Sequence, residues 1–406
     1  MENKFTLLGE KLSHSLSPEI HSLLGNYGYD LSPIEKSKLA SFFEKSEYKG
    51  FNVTIPYKIE AFNRCDILTA TAREIGSVNT CLRKDDGTLY GDNTDAYGFA
   101  YMLKKAGCEP KGKKAVVLGS GGSSKAVSYV LKKQGAEVVI ISRSGENNYG
   151  NLEKHFDADI VVNTTPVGMF PNPGVSPVEI SNFQRCGFVF DLIYNPFRTK
   201  LIQDTEKLGI KAVSGLSMLT AQAKRSSEIF NGTEIPDNVI DKICSEIKLK
   251  SANIVLTGMP GCGKTTVGRE IAEKLDRPFI DTDEEIIKCG KTITEIIEKD
   301  GETAFRNIES RVIAGLRNSR GTVIATGGGA IIRDENVEAL RENGIVVFLD
   351  TPLEMLETKG RPLSNKNGIE NIYRERIEKY RKSADIIFKV NYNSKTDEVI
   401  KCIYSL

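Results

Sequence analysis

Two glycine-rich segments in this chain have the composition of phosphate-binding loops, and each follows a short apolar run. The first is Gly119-Ser-Gly-Gly-Ser-Ser-Lys-Ala126, after Ala115-Val-Val-Leu118; the second is Gly258-Met-Pro-Gly-Cys-Gly-Lys-Thr265, after Asn253-Ile-Val-Leu-Thr257. Glycines let the backbone approach a phosphate, and the N-terminus of a following helix favours its negative charge. The first pattern is typical of dinucleotide binding and the second of nucleoside triphosphate binding. The sequence therefore predicts two phosphate-bearing cofactors.

The second segment is the more informative, because it satisfies the pattern GxxxxGK[ST] between an apolar run and an amphipathic stretch. In such loops the backbone amides surround the phosphates, the lysine reaches the β and γ oxygens, and the hydroxyl binds Mg²⁺. Lys264 and Thr265 stand at those two positions. We therefore expect a site for ATP and Mg²⁺, although the loop does not specify the phosphoryl acceptor.

The first segment is an incomplete dinucleotide fingerprint, because Ser124 replaces its third glycine. Alone, it fits an ordinary tight turn as well as a dinucleotide site. The next apolar run ends in Ser142-Arg-Ser144, where NAD enzymes tend to carry an acid for the ribose diol. An arginine between two hydroxyl residues favours NADP over NAD, because its charge suits the additional phosphate of NADP. The alternative is that Arg143 is only a solvated residue at the end of a strand.

The elements that could position these loops follow from the apolar periodicity. Short apolar runs alternate with amphipathic stretches, first from residue 115 and again from residue 253. The further runs lie at 137–141, 159–163 and 188–192 in the first series, and at 322–326 and 344–349 in the second. This alternation predicts an α/β fold with parallel, doubly wound sheets. Residues 236 to about 248 predict an amphipathic helix, and the polar residues 248–252 predict a short linker.

The length and composition of the chain limit the number of domains and the kinds of molecule that it could bind. The 406 residues are too many for one ordinary core and indicate two or three domains. Lysine and arginine number 55 against 54 acidic residues, so there is no basic field for nucleic acid or a membrane surface. No run approaches the ~20 apolar residues of a membrane span, and the charged amino terminus is unlike a signal peptide.

The distribution of cysteines indicates the cellular compartment of the protein. The eight cysteines are scattered, without a CxxC pair or a cluster with histidine, which is typical of free thiols in the cytoplasm. We therefore expect a cytoplasmic protein whose partners are small molecules. Monomer and homodimer both remain open.

Four dense polar motifs precede the first glycine-rich segment. They are Ser13-His-Ser-Leu-Ser-Pro18, Asn52-Val-Thr-Ile-Pro-Tyr-Lys58, Gly76-Ser-Val-Asn-Thr80 and Gly91-Asp-Asn-Thr-Asp95. Each places hydroxyl, amide or charged groups at a predicted strand end, which suits a polyhydroxylated ligand. Three later motifs accompany them: Asn163-Thr-Thr-Pro-Val-Gly-Met169, Asp191-Leu-Ile-Tyr-Asn-Pro196 and Gly215-Leu-Ser-Met-Leu-Thr-Ala-Gln222. Together these motifs make residues 5–247 resemble the shikimate dehydrogenase family.

The resemblance implies a two-part fold and a catalytic pair. It places a substrate-binding α/β domain at residues 1–100 and 220–247 and a Rossmann-type NADP domain at 101–219. Lys58 and Asp95 would be the catalytic pair. Hydride transfer at a secondary alcohol needs a group that moves the hydroxyl proton, and a lysine whose pKa burial lowers can do this beside an aspartate. Which of the two takes the proton stays open.

The resemblance also assigns binding residues in the first half. Those for the substrate, besides the catalytic pair, are Ser15, Ser17, Thr54, Asn79, Tyr194 and Gln222. Those for NADP are Gly119, Ser120, Gly121, Gly122, Ser123, Ser142, Arg143, Ser144, Thr164 and Met218. His14 and His21, two of only three histidines, are interpreted as structural or peripheral.

Five further features accompany the second glycine-rich segment. They are Phe279-Ile-Asp-Thr-Asp283, Glu302-Thr-Ala-Phe-Arg-Asn-Ile-Glu309, Thr326-Gly-Gly-Gly329, Gly360-Arg-Pro-Leu363 and Arg376. A set of arginines suits an anionic carboxylate substrate and a transferring phosphoryl group. With the phosphate loop, these features make residues 253–406 resemble the shikimate kinase family. That resemblance implies a P-loop kinase domain with a parallel sheet, similar to the nucleoside monophosphate kinases.

The second resemblance implies three groups of site residues. For ATP they are Gly261, Cys262, Gly263, Lys264, Thr265, Thr266 and Arg361. For the shikimate acceptor they are Asp283, Arg306, Gly328, Gly329 and Arg376, and for Mg²⁺ they are Thr265 and Asp281. Lys264 and Asp283 would be the catalytic residues, with Asp283 orienting the acceptor hydroxyl.

The two resemblances together predict a bifunctional enzyme of the shikimate pathway. It would reduce 3-dehydroshikimate with NADPH and then phosphorylate shikimate with Mg-ATP to shikimate 3-phosphate. One alternative is a quinate/shikimate dehydrogenase fused to the kinase, although Ser17 favours shikimate. Another alternative is a non-catalytic metabolite sensor. The presence of the full set of catalytic residue types argues against it.

Overall fold

The computed structural model describes residues 4–12, 15–288, 290–357 and 368–405. The chain divides into two compact units by its internal packing. The first comprises Met1–Met169 and Val175–Ile247, and the second comprises Phe170–Gly174 and Lys248–Leu406.

The first unit contains a six-stranded sheet built by its amino-terminal residues. Its strands are β1 Lys4–Gly9, β2 Gly28–Pro33, β3 Gly50–Val53, β4 Ile67–Leu68, β5 Thr80–Arg83 and β6 Leu89–Asp92, in the spatial order β2-β1-β3-β5-β6-β4. The associated helices are α1 Ser17–Leu24, α2 Leu39–Lys45, α3 Lys58–Arg64 and α4 Ala70–Ile75. The β3–β5 and β5–β6 pairs are antiparallel. The starts of α1 and α3 carry polar residues from two of the four polar motifs.

The same unit contains a five-stranded sheet in which every pair is parallel. Its strands are β7 Lys114–Leu118, β8 Glu137–Ile141, β9 Ile160–Asn163, β10 Phe188–Asp191 and β11 Lys211–Ser214, in the order β11-β10-β9-β7-β8. Helices α6 Gly122–Lys133 and α7 Lys200–Lys207 belong to it. Along β7, Val116 and Leu118 enter one apolar cluster and Ala115 and Val117 another. Burial on both faces explains why these strands read as continuous apolar runs.

Two long helices of the first unit pack closely against each other. They are α5 Thr94–Ala106 and α8 Leu216–Asn231. A β-carbon added to Gly98 would lie 2.7 Å from the backbone oxygen of Met218, so a larger residue there would push the helices apart. Because Asp95 lies in the first turn of α5 and Gln222 in the middle of α8, this packing brings two predicted site residues together.

The second unit is a five-stranded parallel sheet with helices. Its strands are β12 Asn253–Thr257, β13 Phe279–Asp281, β14 Val323–Ala325, β15 Gly344–Asp350 and β16 Ile386–Lys389, in the order β13-β14-β12-β15-β16. The helices are α10 Lys264–Lys274, α11 Thr282–Ile287, α12 Ile293–Gly315, α13 Asp334–Asn343, α14 Ile369–Ser383 and α15 Thr396–Tyr404. The prediction of parallel α/β sheets is confirmed in both units.

One local prediction differs from the structure. Helix α9, Asn238–Ser251, continues through the residues predicted as a linker and ends immediately before β12. The buried residues Ile240, Ile243 and Ile247 form its apolar stripe, and the lysines that suggested a linker occupy its last turn. Basic residues at a helix C-terminus are favourable, so a polar composition did not indicate irregular structure here.

None of the helices in the described part of the chain is long and apolar enough to cross a bilayer.

Candidate active sites

Lys58 and Asp95 form a nearly buried ion pair in the first unit. Lys58 is the first residue of α3 and Asp95 the second of α5. The Nζ atom of Lys58 donates to Oδ2 of Asp95 at 2.5 Å, and the two side chains are 11% and 3% exposed. Each buried charge compensates the other, which is the condition under which burial is tolerated. The pair can therefore hold a proton close to a bound hydroxyl or carbonyl group.

Asn79 and Gln222 complete a polar group around this pair. The Nδ2 atom of Asn79 donates to Oδ1 of Asp95 at 2.9 Å and lies 3.5 Å from Oε1 of Gln222. Asn79 immediately precedes β5, whereas Gln222 is on α8, so the group is assembled from distant parts of the sequence. Four predicted substrate residues thus meet at one place.

The remaining predicted substrate residues are positioned as follows. The Ser15 hydroxyl donates to Oγ of Ser17 at 3.1 Å, at the start of α1. Thr54 follows β3, and its backbone N–H donates to the backbone oxygen of Leu8 at 2.9 Å. Tyr194 is half-buried after β10. Contact of these side chains with a substrate stays a prediction.

The first glycine-rich segment connects β7 to α6 as predicted. Gly119 has a φ of +102°, and a β-carbon there would lie 2.8 Å from Oγ1 of Thr164. The Thr164 hydroxyl donates to the backbone oxygen of Leu118 at 2.7 Å, so it lines this turn. A β-carbon added to Gly122 would lie 3.5 Å from Cδ of Lys58. The predicted phosphate loop therefore lies beside the ion pair.

The other predicted NADP residues surround the same sheet edge. Ser120 and Gly121 are exposed, and Ser123 is half-buried in the first turn of α6. Ser142, Arg143 and Ser144 directly follow β8, the neighbour of β7, and Arg143 is exposed. Met218 is buried on α8. Their contacts with a cofactor stay predictions.

The second glycine-rich segment has the conformation of a tight loop between β12 and α10. Its glycines at 258, 261 and 263 have φ values of +152°, +86° and +84°. Lys264 is 7% exposed, and its Nζ atom donates to the backbone oxygens of Gly258 and Met259, each at 2.9 Å. The lysine is thus folded over the loop, and the Sγ atom of the buried Cys262 lies 3.6 Å from it. Thr266, in the first turn of α10, is exposed.

Thr265 and Asp281 form the predicted magnesium position. The Thr265 hydroxyl donates to Oδ2 of Asp281 at 2.7 Å, and Oδ1 of Asp281 accepts from the backbone N–H of Asp283 at 2.9 Å. Within the described ranges, no group of three or more His, Cys, Asp or Glu side chains could hold a metal ion. One hydroxyl and one carboxylate fit Mg²⁺, which keeps several waters and takes further oxygens from nucleotide phosphates.

The loop after β14 collects the predicted acceptor residues. A β-carbon on Gly329 would overlap the guanidinium group of Arg306, and one on Gly327 would lie 2.6 Å from Oδ1 of Asp283. The backbone oxygen of Gly328 accepts from Nη1 of Arg376 at 3.2 Å. Thus Asp283, the two arginines and the glycine loop lie together, with both arginines less than one tenth exposed.

Some predicted features lie outside the described residues. Arg361, predicted to bind ATP, is one of them, and so are His14 and its neighbour Ser13 in the first polar motif.

The amino-terminal region of the chain is similar in sequence to known proteins. Shikimate dehydrogenase (NADP(+)) from Clostridium perfringens (strain SM101 / Type A) is 35% identical over 268 residues, which cover 61% of this chain and 98% of that protein. The corresponding protein of Caldanaerobacter subterraneus subsp. tengcongensis is 36% identical over 272 residues, covering 60% and 97%. The chain belongs to the shikimate dehydrogenase family. The family model for the shikimate dehydrogenase substrate binding domain matches residues 7–81.

Solved structures show the same likeness. The crystal structure of shikimate dehydrogenase 1 from Peptoclostridium difficile has a TM-score of 0.57 and 38% identity, and covers 61% of this chain and 98% of that one. A chorismate mutase/shikimate 5-dehydrogenase fusion protein from Clostridium acetobutylicum has a TM-score of 0.58 and 36% identity, with the same coverage. The Thermus thermophilus enzyme, solved with NADP(H) and shikimate, has a TM-score of 0.55 and 31% identity, covering 60% and 99%.

The carboxyl-terminal region has its own match. The family model for shikimate kinase matches residues 260–406, from the phosphate loop to the end of the chain. Both resemblances predicted from the motifs are therefore confirmed: a shikimate dehydrogenase region is followed by a shikimate kinase domain. The predicted fold class, with a Rossmann-type sheet and a P-loop domain, is confirmed as well.

Sequence reasoning missed several polar residues beneath these sites. In the first unit they are Asn52, Thr80, Thr94 and Ser226, which bond to one another and to Asn79. In the second they are Glu302, which binds Arg306, and Tyr380, whose hydroxyl donates to Gly328; the sequence already placed Glu309 one helical turn from Arg306, and the two are bonded. Most of these residues lie in the quoted motifs, but hydroxyl and amide types are frequent in turns, so their role needed the contacts.

His21 has the structural role expected for it. Burial lowers its pKa to about 3, and its ring stacks on Tyr29 with centroids 3.8 Å apart. Its Nδ1 atom lies 2.7 Å from the hydroxyl of Tyr27. His21 therefore stays neutral at physiological pH and supplies no acid–base group to the site.

Asp191 supports the strand ends on the NADP side. Burial raises the pKa of its carboxyl to about 6, while hydrogen bonds from Thr199, Ile193 and Asn163 oppose that rise. The bond from Asn163 Nδ2 is 3.0 Å long, and Oδ1 of Asn163 in turn accepts from the hydroxyl of Thr165 at 2.7 Å. Asp191 thereby connects the ends of β9 and β10.

Proposed function

We propose that the first unit reduces 3-dehydroshikimate to shikimate with NADPH. The observation that carries this proposal is the Lys58–Asp95 ion pair, which lies beside both the glycine loop at Gly122 and the amide of Asn79. A proton-transferring pair next to a dinucleotide loop is what carbonyl reduction by hydride requires. The names of the similar dehydrogenases support the same cofactor and substrate.

The residues of this chain would contribute binding and proton transfer. NADPH, when bound, supplies the hydride, and residues 119–123 together with Thr164 would hold it. As the carbonyl carbon gains hydride, its oxygen needs a proton, which the Lys58–Asp95 pair supplies. Asn79 and Gln222 would orient the ring hydroxyls. Arg143, exposed after β8, would bind the additional phosphate that distinguishes NADP from NAD.

We propose that the second unit phosphorylates shikimate with ATP. When bound, Mg-ATP supplies the phosphoryl group, with Thr265 and Asp281 at the metal. Lys264 would move from the loop oxygens to the phosphates and neutralise charge there. Asp283 would orient the acceptor hydroxyl, and Arg306 and Arg376 would bind the carboxylate of the acceptor. The contacts of Asp283 and both arginines with residues 327–329 support this assignment.

The two reactions act on one hydroxyl. The hydroxyl that reduction of 3-dehydroshikimate creates is the one that becomes phosphorylated, so phosphorylation by ATP would draw a reversible reduction forward. The substrates are small molecules. We place the enzyme in the cytoplasm, in line with eight scattered cysteines.

A coupled assay tests both activities in the intact chain. The protein is incubated with 3-dehydroshikimate, NADPH, ATP and Mg²⁺, and NADPH oxidation and ADP formation are followed separately. Lys58→Ala should abolish NADPH oxidation and thereby ADP formation, and added shikimate should restore ADP formation. Lys264→Ala should abolish only ADP formation.

Three outcomes would contradict the proposal. NADPH oxidation that survives Lys58→Ala would exclude the proposed dehydrogenase site. A wild-type protein that binds shikimate but turns over neither substrate would be a metabolite sensor. Efficient oxidation of quinate with NADP⁺ would make the first unit a quinate/shikimate dehydrogenase.

A further inference from the structure

Three buried hydroxyl groups lie directly behind the catalytic pair of the first unit. The hydroxyl cluster consists of Thr80 on β5, Thr94 on α5 and Ser226 on α8, which are 0%, 1% and 0% exposed. Their oxygens are mutually within hydrogen-bond distance: 3.1 Å for Thr80–Thr94, 2.9 Å for Thr80–Ser226 and 3.1 Å for Thr94–Ser226. The substrate residues assigned above do not include these three.

The direction of the hydrogen bonds at Ser226 follows from its neighbours. Its hydroxyl donates to the backbone oxygen of Gln222 at 2.9 Å, because a carbonyl can only accept. It accepts from Nδ2 of Asn52 at 2.7 Å. The Tyr29 hydroxyl donates to Oδ1 of Asn52 at 2.7 Å, which sets the orientation of that amide. One lone pair of Ser226 remains for a threonine hydroxyl.

The cluster also determines which way the Asn79 amide points. The backbone N–H of Thr94 donates to Oδ1 of Asn79 at 2.7 Å, and the hydroxyls of Thr80 and Thr94 each lie 3.1 Å from the same atom. A flipped amide would set its NH₂ group against a backbone N–H and its oxygen against the carboxylate of Asp95. With Oδ1 held by these donors, Nδ2 must face Asp95, as the 2.9 Å bond requires.

We propose that Ser226 is a positioning residue for the dehydrogenase reaction, acting through the hydroxyl cluster on Asn79. Among the described residues, its hydrogen-bond partners are Asn52, the two threonines and the backbone of Gln222, and the catalytic pair is not among them. It is the one member of the cluster whose oxygen lies within hydrogen-bond distance of Asn52 Nδ2, both threonine hydroxyls and the backbone oxygen of Gln222, and it can accept from one threonine at a time. Its removal leaves Nδ2 of Asn52, one threonine hydroxyl and the backbone oxygen of Gln222 short of a partner, and so loosens the threonine hydroxyls that face Oδ1 of Asn79. This inference rests on the proposed dehydrogenase activity.

The neighbouring serine offers a matched control. Ser227 is also on α8 and is 1% exposed, and its hydroxyl accepts from Tyr27 at 2.9 Å, away from Asn79. Ser226→Ala and Ser227→Ala therefore each remove one buried, hydrogen-bonded hydroxyl from the same helix. The activity of the kinase unit with added shikimate reports on the intact second unit in the same sample.

The expected results separate positioning from general destabilisation. Ser226→Ala should lower kcat/KM for 3-dehydroshikimate about 10-fold, with KM for NADPH changed less than about two-fold, whereas Ser227→Ala should lower Tm comparably without that loss. In an Asn79→Ala background, Ser226→Ala should change kcat/KM less than about two-fold, because the residue through which it acts is gone. Equal kcat/KM losses for the two serine variants, or additive losses with Asn79→Ala, would overturn the inference.

A second pair of variants covers a failure of Ser226→Ala to fold. Thr80→Val removes the hydroxyl at similar volume and should reproduce the loss of kcat/KM, and Thr80→Ser, which keeps the hydroxyl, should restore most of it. Equal activity of Thr80→Val and Thr80→Ser would count against the cluster. If the wild type is active and all of these variants have the same kcat/KM as it, only this inference is refuted. If the wild type shows no dehydrogenase activity, the proposed function is refuted and this inference with it.

Discussion

Lys58 and Asp95 share a hydrogen bond of 2.5 Å although they are 37 positions apart in the chain. They meet because α3 and α5 both begin at the same place in the first unit, and both side chains are nearly buried. The charge of Asp95 is therefore the counter-charge of a lysine that has little access to water.

Asp95→Asn should lower kcat of the dehydrogenase about 10²–10⁴-fold, because the isosteric amide neither pairs with the lysine nor accepts its proton. KM for NADPH should stay within about two-fold of the wild type, since Asp95 lies on the substrate side. Steady-state NADPH oxidation measures both constants. ADP formation with added shikimate is the internal control, and a kcat close to the wild-type value would exclude Asp95 from the reaction.

Gly119→Ala should destabilise the first unit by about 1–3 kcal/mol, because φ is +102° and the new methyl group would press on Thr164. Gly121→Ala is the matched control, since its φ is −77° and no atom lies within 4 Å of an added β-carbon. Calorimetric melting of the two variants measures the difference. Equal melting temperatures would show that this turn is not strained.

Glu309→Gln should raise the KM of the kinase for shikimate about 10-fold, because it removes the charged partner that holds the buried guanidinium of Arg306. The Arg306–Glu309 bond is 2.8 Å long, and the Glu309 side chain is 1% exposed. Glu302→Gln is the matched control: Glu302 binds the same arginine at 3.1 Å but is 49% exposed, and such pairs contribute little. A KM that responds equally to both changes would contradict a special role for Glu309.

Thr265→Val should raise the Mg²⁺ concentration for half-maximal kinase activity about 10-fold or more, because it removes the hydroxyl that lies 2.7 Å from Asp281. Thr265→Ser keeps that hydroxyl and should behave like the wild type. The measurement is ADP formation titrated with Mg²⁺ at constant ATP, with NADPH oxidation as the control. An unchanged titration for Thr265→Val would place the metal elsewhere.

Asp191→Asn should change the pH dependence of stability. The buried carboxyl has a pKa raised to about 6, above its value in an unfolded chain, so it binds a proton more tightly when folded. Its contribution is thus fully present below about pH 4 and is lost as pH rises to about 6. The variant lacks this titration, so its stability relative to the wild type should rise by up to about 3 kcal/mol over that interval and then stay level.

Melting temperatures of the first unit at pH 4, 5, 6 and 7 test this expectation. The chain contains no tryptophan, so calorimetry or circular dichroism is the suitable probe. A difference that does not vary with pH would mean that folding leaves the pKa of the Asp191 carboxyl unchanged.

Local patterns predicted much of the fold because they depend on nearby residues. The apolar runs at 115–118, 137–141 and 253–257 lie in strands, and both glycine-rich segments join a strand to a helix. Burial on both faces makes a parallel strand visible as a short apolar run. The exception was 248–251, where polar composition suggested a linker although a helix end tolerates the same residues.

The catalytic residues were assigned from motifs. A motif identifies the residues but does not show which other residues they contact. Lys58, Asp95, Asn79 and Gln222 stand in four separate segments, and only helix and strand packing shows that they touch. The support beneath them was not foreseen at all. Ser226 lies outside the quoted motifs, and a serine in a helix is more often solvated than part of a network.

The amino-acid sequence was sufficient to establish the two cofactor loops, the parallel α/β class and the two families, because glycine spacing, apolar periodicity and dense motifs are properties of short segments. The tertiary structure decided which charges are buried together and which hydroxyls orient Asn79. Those outcomes depend on atoms far apart in the chain, and hydrogen bonds form only within about 3 Å. No local pattern contains that distance.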